Sequence, residues 1–260
     1  MWDPSAYLHF ADYRERPFHE LLVRVGAQSP RRVVDVGCGP GTLTPVLAQR
    51  WPDAAVEAFD SSPEMVAAAR GHGVDATVGD VHTWTPGADV DVVVCNAVLQ
   101  WVPEHLEVLT RWAQSLGSGA WLAVQVPGNF REPSHALTRE LAGEPQWRNQ
   151  LDGVLRGPDA VHEPQQYAER LLELGCTVDV WESTYLQRLP GTDPVLRWIT
   201  GTALRPVRAV LGDADWALFT EQLAPMLREA YPESALSGAS GGGACMPFRR
   251  IFVVARTGAH

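Results

Sequence analysis

Three acids and a run of alternate glycines carry the chemistry this chain offers. Asp35, Gly37, Gly39 and Gly41 stand at every second position in Asp35-Val36-Gly37-Cys38-Gly39-Pro40-Gly41. Glycines allow backbone torsions with φ > 0 and let a ligand lie where a Cβ would intrude. A carboxylate two residues ahead of the first glycine repels phosphate and favours a cationic ligand. The spacing departs from the dinucleotide G-x-G-x-x-G fingerprint, because position 42 is threonine and Pro40 removes an N–H. Asp60, 19 residues after Gly41, ends an apolar segment and can accept hydrogen bonds from both hydroxyls of a ribose. Asp80 follows Gly79 after another short apolar run.

These residues need strands that end together at one edge. The apolar segment before Gly37 reads as a buried parallel strand, followed by a tight turn and a helix over 42–50. Further strands are predicted over 56–60, 74–78, 90–95, 120–126, 177–189 and 247–255. Helices are predicted over 4–26, from Ser61-Ser62-Pro63-Glu64 onward, over 165–174 and within 194–229. The pattern predicts an α/β fold with a Rossmann-like seven-stranded sheet, mostly parallel, whose last strand is antiparallel and lies beside strand six. We expect a single domain over 1–260, with a ligand-binding core at about 28–129 and helical cap insertions at about 130–163 and 190–245. The aromatics Tyr7 and Phe10 read as a flap over a ligand or as core. The glycine-rich segment 237–243 reads as a lid or a plain connector.

Composition removes several classes. The chain has 260 residues, 45% of them hydrophobic, enough for a sizeable core. No run of 18 apolar residues occurs and the N-terminus lacks a signal-peptide pattern, so a cytoplasmic protein is expected. Cys38, Cys95, Cys176 and Cys245 are far apart, show no metal spacing and read as reduced. A net charge of −10 argues against a nucleic-acid partner. All 21 basic residues are arginine, so any bound anion must be met by guanidinium groups.

The D-x-G-x-G-x-G run resembles motif I of the class I S-adenosylmethionine-dependent methyltransferases. Asp60, Gly79-Asp80 and the segment from Asn96 to Val102 follow in that superfamily's order. Four further stretches are similar to the trans-aconitate 2-methyltransferase family: Tyr7 to Pro17, Asn96 to Val102, Gln125 to Asn129 and Phe248 to Phe252. The resemblance implies S-adenosyl-L-methionine as cofactor, held by Tyr7, Asp35, Gly37, Gly39, Asp60, Ser61, Met65, Asp80, Val81 and Asn96. Asp80 would contact adenine, and Gln100 and Trp101 would position the acceptor. It implies esterification of one carboxylate of trans-aconitate, releasing S-adenosylhomocysteine.

A carboxylic acid of pKa near 4 is ionised at neutral pH, so its oxygen needs no catalytic base. His9, His82, His105, His135 and His162 are accordingly read as surface or structural residues. A small tricarboxylate on an acidic protein needs local cations, and Arg131, Arg148, Arg205 and Arg249 are the candidates, with Asn129 and Trp198 as neutral walls. The competing readings are a methyltransferase for another carboxylic acid, a phenol or an amine, and a cofactor-binding module without turnover. A nicotinamide oxidoreductase is disfavoured by Thr42. Neither a membrane nor a metal is called for, and the oligomeric state is left open.

Overall fold

The computed structural model describes residues 11–233 and 242–258, with side chains from residue 15 onward. After an N-terminal helix α1 (Ala11–Val23), strands and helices alternate: β1 (Arg32–Val36), α2 (Thr44–Arg50), β2 (Ala55–Asp60), α3 (Pro63–Gly71), β3 (Ala76–Val78), β4 (Val92–Asn96), α4 (His105–Ser115) and β5 (Trp121–Pro127). The seven strands form one sheet in the order β3-β2-β1-β4-β5-β7-β6, where β6 is Thr177–Pro190 and β7 is Gly243–Arg256. β1 pairs in parallel with β2 and with β4, and β4 pairs in parallel with β5. β7 inserts next to β5 and runs antiparallel to it, with Trp121 opposite Arg256 and Pro127 opposite Arg250. The mostly parallel sheet with an antiparallel last strand is the one expected. β7 has β6 as its other neighbour.

The strand order reverses between β1 and β4, and in open α/β sheets the crevice beyond the carboxyl ends of such strands is where ligands bind. The register decides which residues gather there. Val36 stands opposite Phe59 on one side and Cys95 on the other. The next residue of each strand segment, Gly37, Asp60 and Asn96, therefore falls in one row along that edge. β1, β4 and β5 are buried along nearly all their length, with Asp35 and Gln125 as the polar exceptions in their interiors, because both faces of the central sheet are covered. Trp112 and Leu109 of α4 are fully buried, and the Trp112 indole N–H donates to the Trp84 carbonyl at 3.1 Å.

The chain divides into two compact units. Of the described residues, the first comprises those of Arg14–Pro127 and His162–Ser183 and residues 250–258; the second comprises those of Gly128–Val161 and Thr184–Arg249 and residues 11–13. Helix α7 (Pro164–Glu173) belongs to the first unit. The second contains α5 (Pro133–Ala142), α6 (Arg148–Leu151), α8 (Pro194–Thr200), α9 (Arg205–Val210) and α10 (Asp213–Ala230). It has a core of its own, built on Trp147, Trp198, Phe219, Leu223, Met246 and Phe248. Trp147 meets Phe219 edge-on at 5.4 Å, and its indole N–H donates to Gln222 Oε1 at 2.8 Å.

Several boundaries differ from those predicted. β3 begins at Ala76 rather than at position 74, because Val74 caps the preceding turn by donating to Ala69 O at 3.0 Å. β7 begins at Gly243, four residues earlier than its apolar pattern indicates. There Ala244 bridges Glu233 and Gly191 N–H donates to Gly242 O, so backbone pairing extends the strand into a glycine-rich stretch. Tyr7, His9, Phe10 and most of the expected lid, 237–241, lie outside the described residues. All four cysteines are free. Among the described residues no helix is long and apolar enough to cross a membrane.

Candidate active site

The glycine turn is fastened to the end of β2 by backbone and side chain together. Gly37 and Cys38 N–H both donate to Phe59 O, at 2.8 and 3.0 Å. Asp60 then accepts Gly39 N–H on Oδ2 and Ser62 N–H on Oδ1, each at 2.9 Å. Each carboxylate oxygen can accept more than one bond, so Asp60 retains capacity for a diol. Ser62, rather than the exposed Ser61, caps α3 by accepting Met65 N–H at 3.2 Å; Pro63 follows in the first turn.

Two of the glycines answer to different demands. Gly37 has φ +69°, and a Cβ there would sit 2.3 Å from Val98 Cγ2, so protein packing itself requires glycine. Gly39 has φ +57°, but a Cβ would meet nothing within 4 Å. The space beside Gly39 is open, as a ligand lying along the turn needs.

Asp35 is buried, and its carboxylate accepts the Thr44 hydroxyl at 2.6 Å. Burial pushes its pKa up to about 6, with the Asp60 charge adding to the rise and the Thr44 bond opposing it. Neither Asp35 nor Asp60 has an ion-pair partner among the described residues. Two neighbouring carboxylates without a counter-cation among the described residues would favour a positively charged ligand. At the end of β4, Asn96 Oδ1 is buried with no hydrogen-bond partner among the described residues. Ala97 takes φ 58°, a left-handed torsion that costs a non-glycine residue on the order of 1–3 kcal/mol. Ala97 N–H donates to Gln125 O at 2.9 Å, and Gln100 Nε2 donates to Ala97 O at 2.6 Å, which together hold the turn. Gln100 is thus buried and bonded to the main chain, while Trp101 is 49% exposed. Asp80 is exposed and accepts both His82 N–H and the His82 ring, at 2.9 and 2.7 Å, bonds that hold its pKa below the ordinary carboxylate range. Val81 is buried and Met65 half-buried.

In the second unit, Asn129 is 1% exposed and its Oδ1 accepts the Arg249 backbone N–H at 2.6 Å. That bond fixes the carboxamide, and Nδ2 has no partner among the described residues. Trp198 is buried edge-on against Phe248 at 5.6 Å. Arg249 is half-buried, whereas Arg131, Arg148 and Arg205 are exposed, and Arg148 is bonded to Gly143 O. The sequence reading missed Arg139, which donates to Phe130 O at 2.7 Å and so supports the loop carrying Asn129. It also missed the state of His135: burial first, and the Arg139 charge second, lower its pKa to about 4, so it is neutral at pH 7. His105 is buried between Val102 O and the Tyr167 hydroxyl, a structural role.

The chain matches the family model described as a methyltransferase domain over residues 7–154. It is 60% identical over 257 residues to a trans-aconitate 2-methyltransferase of Rhodococcus jostii, covering 98% of this chain and 99% of that one. The chain belongs to the trans-aconitate 2-methyltransferase family. A second member, from a Mycobacterium species, is 58% identical over 259 residues, covering 99% of this chain and all of its own. The YcgJ protein of Bacillus subtilis superposes with a TM-score of 0.60 at 13% identity, covering 94% of this chain and 100% of that one, a likeness of fold alone. For a methyltransferase, the donor set in the first unit fits S-adenosylmethionine. That molecule carries a sulfonium and an ammonium to meet unpaired acids, and N–H groups to meet Asn96 Oδ1.

The two glycines should separate by measurement. Gly37→Ala should lower unfolding free energy in urea by about 2–5 kcal/mol, the sum of left-handed strain and overpacking. Gly39→Ala should cost no more than about 2 kcal/mol, from strain alone. Equal losses would mean that Gly39 is also a packing residue.

Proposed function

We propose that this methyltransferase transfers the methyl group of S-adenosylmethionine to one carboxylate of trans-aconitate, giving a monomethyl ester and S-adenosylhomocysteine, in the cytoplasm. The observation that carries the reading is the 60% identity, over nearly the whole of both chains, to a relative named for that reaction. The chemistry of the residues supports it. S-adenosylmethionine supplies a methyl group already activated by the sulfonium. The acceptor oxygen is ionised at neutral pH, so the protein has to orient it and exclude water rather than remove a proton.

The roles follow from the chemistry of each group. Asp60 takes the ribose hydroxyls, with Ser61 and Met65 beside it at the start of α3. Asp35 complements the positive charge of the cofactor, and the open backbone at Gly39 lets it lie close. Asn96 Oδ1 takes an N–H donor of the methionine portion; Asp80 and Val81 meet the adenine. Trp101 and Gln100 stand after β4 to orient the acceptor. Arg249 and Asn129 hold acceptor carboxylates, with Trp198 as a wall and Arg131 and Arg205 as outer cations. A phenol or an amine would call for a base, and burial lowers the His135 pKa to about 4, which leaves its imidazole a weak one.

The product decides the acceptor class. With methyl-labelled cofactor and a panel of metabolite acids, trans-aconitate should take up label, and mild alkali should release it as methanol. A base-stable product would mean an ether, an N-methyl or a C-methyl group and would overturn the carboxylate reading.

The role of Asp35 makes cofactor affinity pH-dependent. Its pKa of about 6 lies above the ordinary value of 3.8. Its contribution to the stability of the free protein is therefore present below about pH 4 and lost as pH rises through 6. Cofactor binding has the opposite sign, because only the ionised carboxylate attracts the cation. Calorimetry should show affinity falling by up to about tenfold per pH unit below pH 6. Asp35→Asn should bind more weakly at pH 7 with a flat profile between pH 5 and 7. An unchanged pH slope in that variant would remove Asp35 from the cofactor's charge balance.

A further inference from the structure

Strand β6 alternates along its second half, with Tyr185, Gln187 and Leu189 buried and Leu186 and Arg188 exposed between them. Leu189 packs into the core of the second unit with Trp198, Met246 and Phe248. Gln187 lies on that same inward face, only 1% exposed, and both Nε2 and Oε1 lack a hydrogen-bond partner among the described residues. Leaving a buried polar group unsatisfied costs about 1–3 kcal/mol, and here a leucine would fit the alternation without that cost. A ligand that completes the amide would offset that cost.

We infer that Gln187 binds the acceptor, its Nε2 donating to a carboxylate that is not esterified. The inference rests on the proposed carboxylate-methylating function and assigns that site a residue the sequence motifs do not contain. Three observations bear on the assignment. Phe248 packs in the same core as Leu189, and the N–H of the following residue, Arg249, is held by Asn129. Asn129 likewise presents a buried Nδ2 without a partner among the described residues, so the second unit has two uncharged amide donors suited to carboxylate oxygens. A donor on the attacking oxygen would hold back the lone pair that takes the methyl group, so Gln187 belongs on a carboxylate that stays intact. Gln187 is therefore a specificity-determining residue, favouring acceptors with more than one carboxylate over monocarboxylic acids.

Gln187→Met keeps the length and volume of the side chain and removes both polar atoms. On the acid that the wild-type enzyme esterifies best, the variant should raise KM about tenfold or more. Its kcat should stay within about threefold and its affinity for S-adenosylhomocysteine should not change. Thermal unfolding without ligands should occur at the wild-type temperature or above, since the unsatisfied amide is gone. A purely structural amide bridging water would instead lower that temperature and leave KM within twofold, which would overturn the inference. The same result should be visible without a variant: in glutamine-15N-labelled wild type bound to S-adenosylhomocysteine, the Gln187 side-chain amide signals should move when the acceptor acid is added, and unmoved signals would contradict it. If the wild type esterifies no carboxylic acid at all, the proposed function falls and this inference with it. If the wild type turns over and Gln187→Met is kinetically silent, only the inference falls.

Discussion

Everything at the proposed cofactor site depends on how the turn after β1 is tied to the end of β2. The Phe59 carbonyl receives Gly37 and Cys38 N–H, and the Asp60 carboxylate receives Gly39 and Ser62 N–H. One short segment therefore sets the path of the glycine turn and starts the next helix. The same bonds hold Asp60 in place, with lone pairs to spare. The parallel register then brings Asn96 into the same row. A carboxylate that organises its own backbone before ligand arrives needs little rearrangement on binding, and such preorganisation favours affinity.

The electrostatics run against the stability of the free protein. Asp35 is buried where ionisation is penalised, Asp60 adds to that penalty, and neither has an ion-pair partner among the described residues. Ala97 adds a left-handed torsion at the end of β4. The second unit repeats the pattern with neutral groups, burying carboxamides at Asn129 and Gln187 that are incompletely satisfied among the described residues. Natural sequences depart from local stability rules mainly where a ligand is handled. The departures here are ones that the proposed cationic cofactor in the first unit and the proposed polycarboxylate acceptor in the second would relieve.

Much of this was legible in the chain. The largely apolar runs of β1, β4 and β5 mark buried parallel strands. The spacing from Gly41 to Asp60 placed an acid on the next strand. Other features depend on tertiary pairing that periodicity does not carry. The glycine-rich segment 237–243 reads as a lid or a connector, yet Gly191 pairs with Gly242 and Glu233 with Ala244, which draws its end to the sheet. Thr44 carries no mark of its own within the predicted helix over 42–50, and its bond to Asp35 appears only once the turn closes. Gln187 left a trace, a polar residue on the inward beat of Tyr185-x-Gln187-x-Leu189, but which polar atoms lack partners is a property of the folded chain. Arg131 and Arg205 have the charge that an acceptor carboxylate needs, and both are exposed. Sequence alone does not rank one arginine above another when all are surface-competent.

The central claim is that an acid already built into the turn holds the cofactor. Calorimetric titration of S-adenosylmethionine into Asp60→Ala, with folding verified by circular dichroism, tests it most directly. The account predicts a loss of about 1.5–3 kcal/mol in binding free energy, the range for hydrogen bonds to a charged group. Unchanged affinity in a folded Asp60→Ala protein would contradict it.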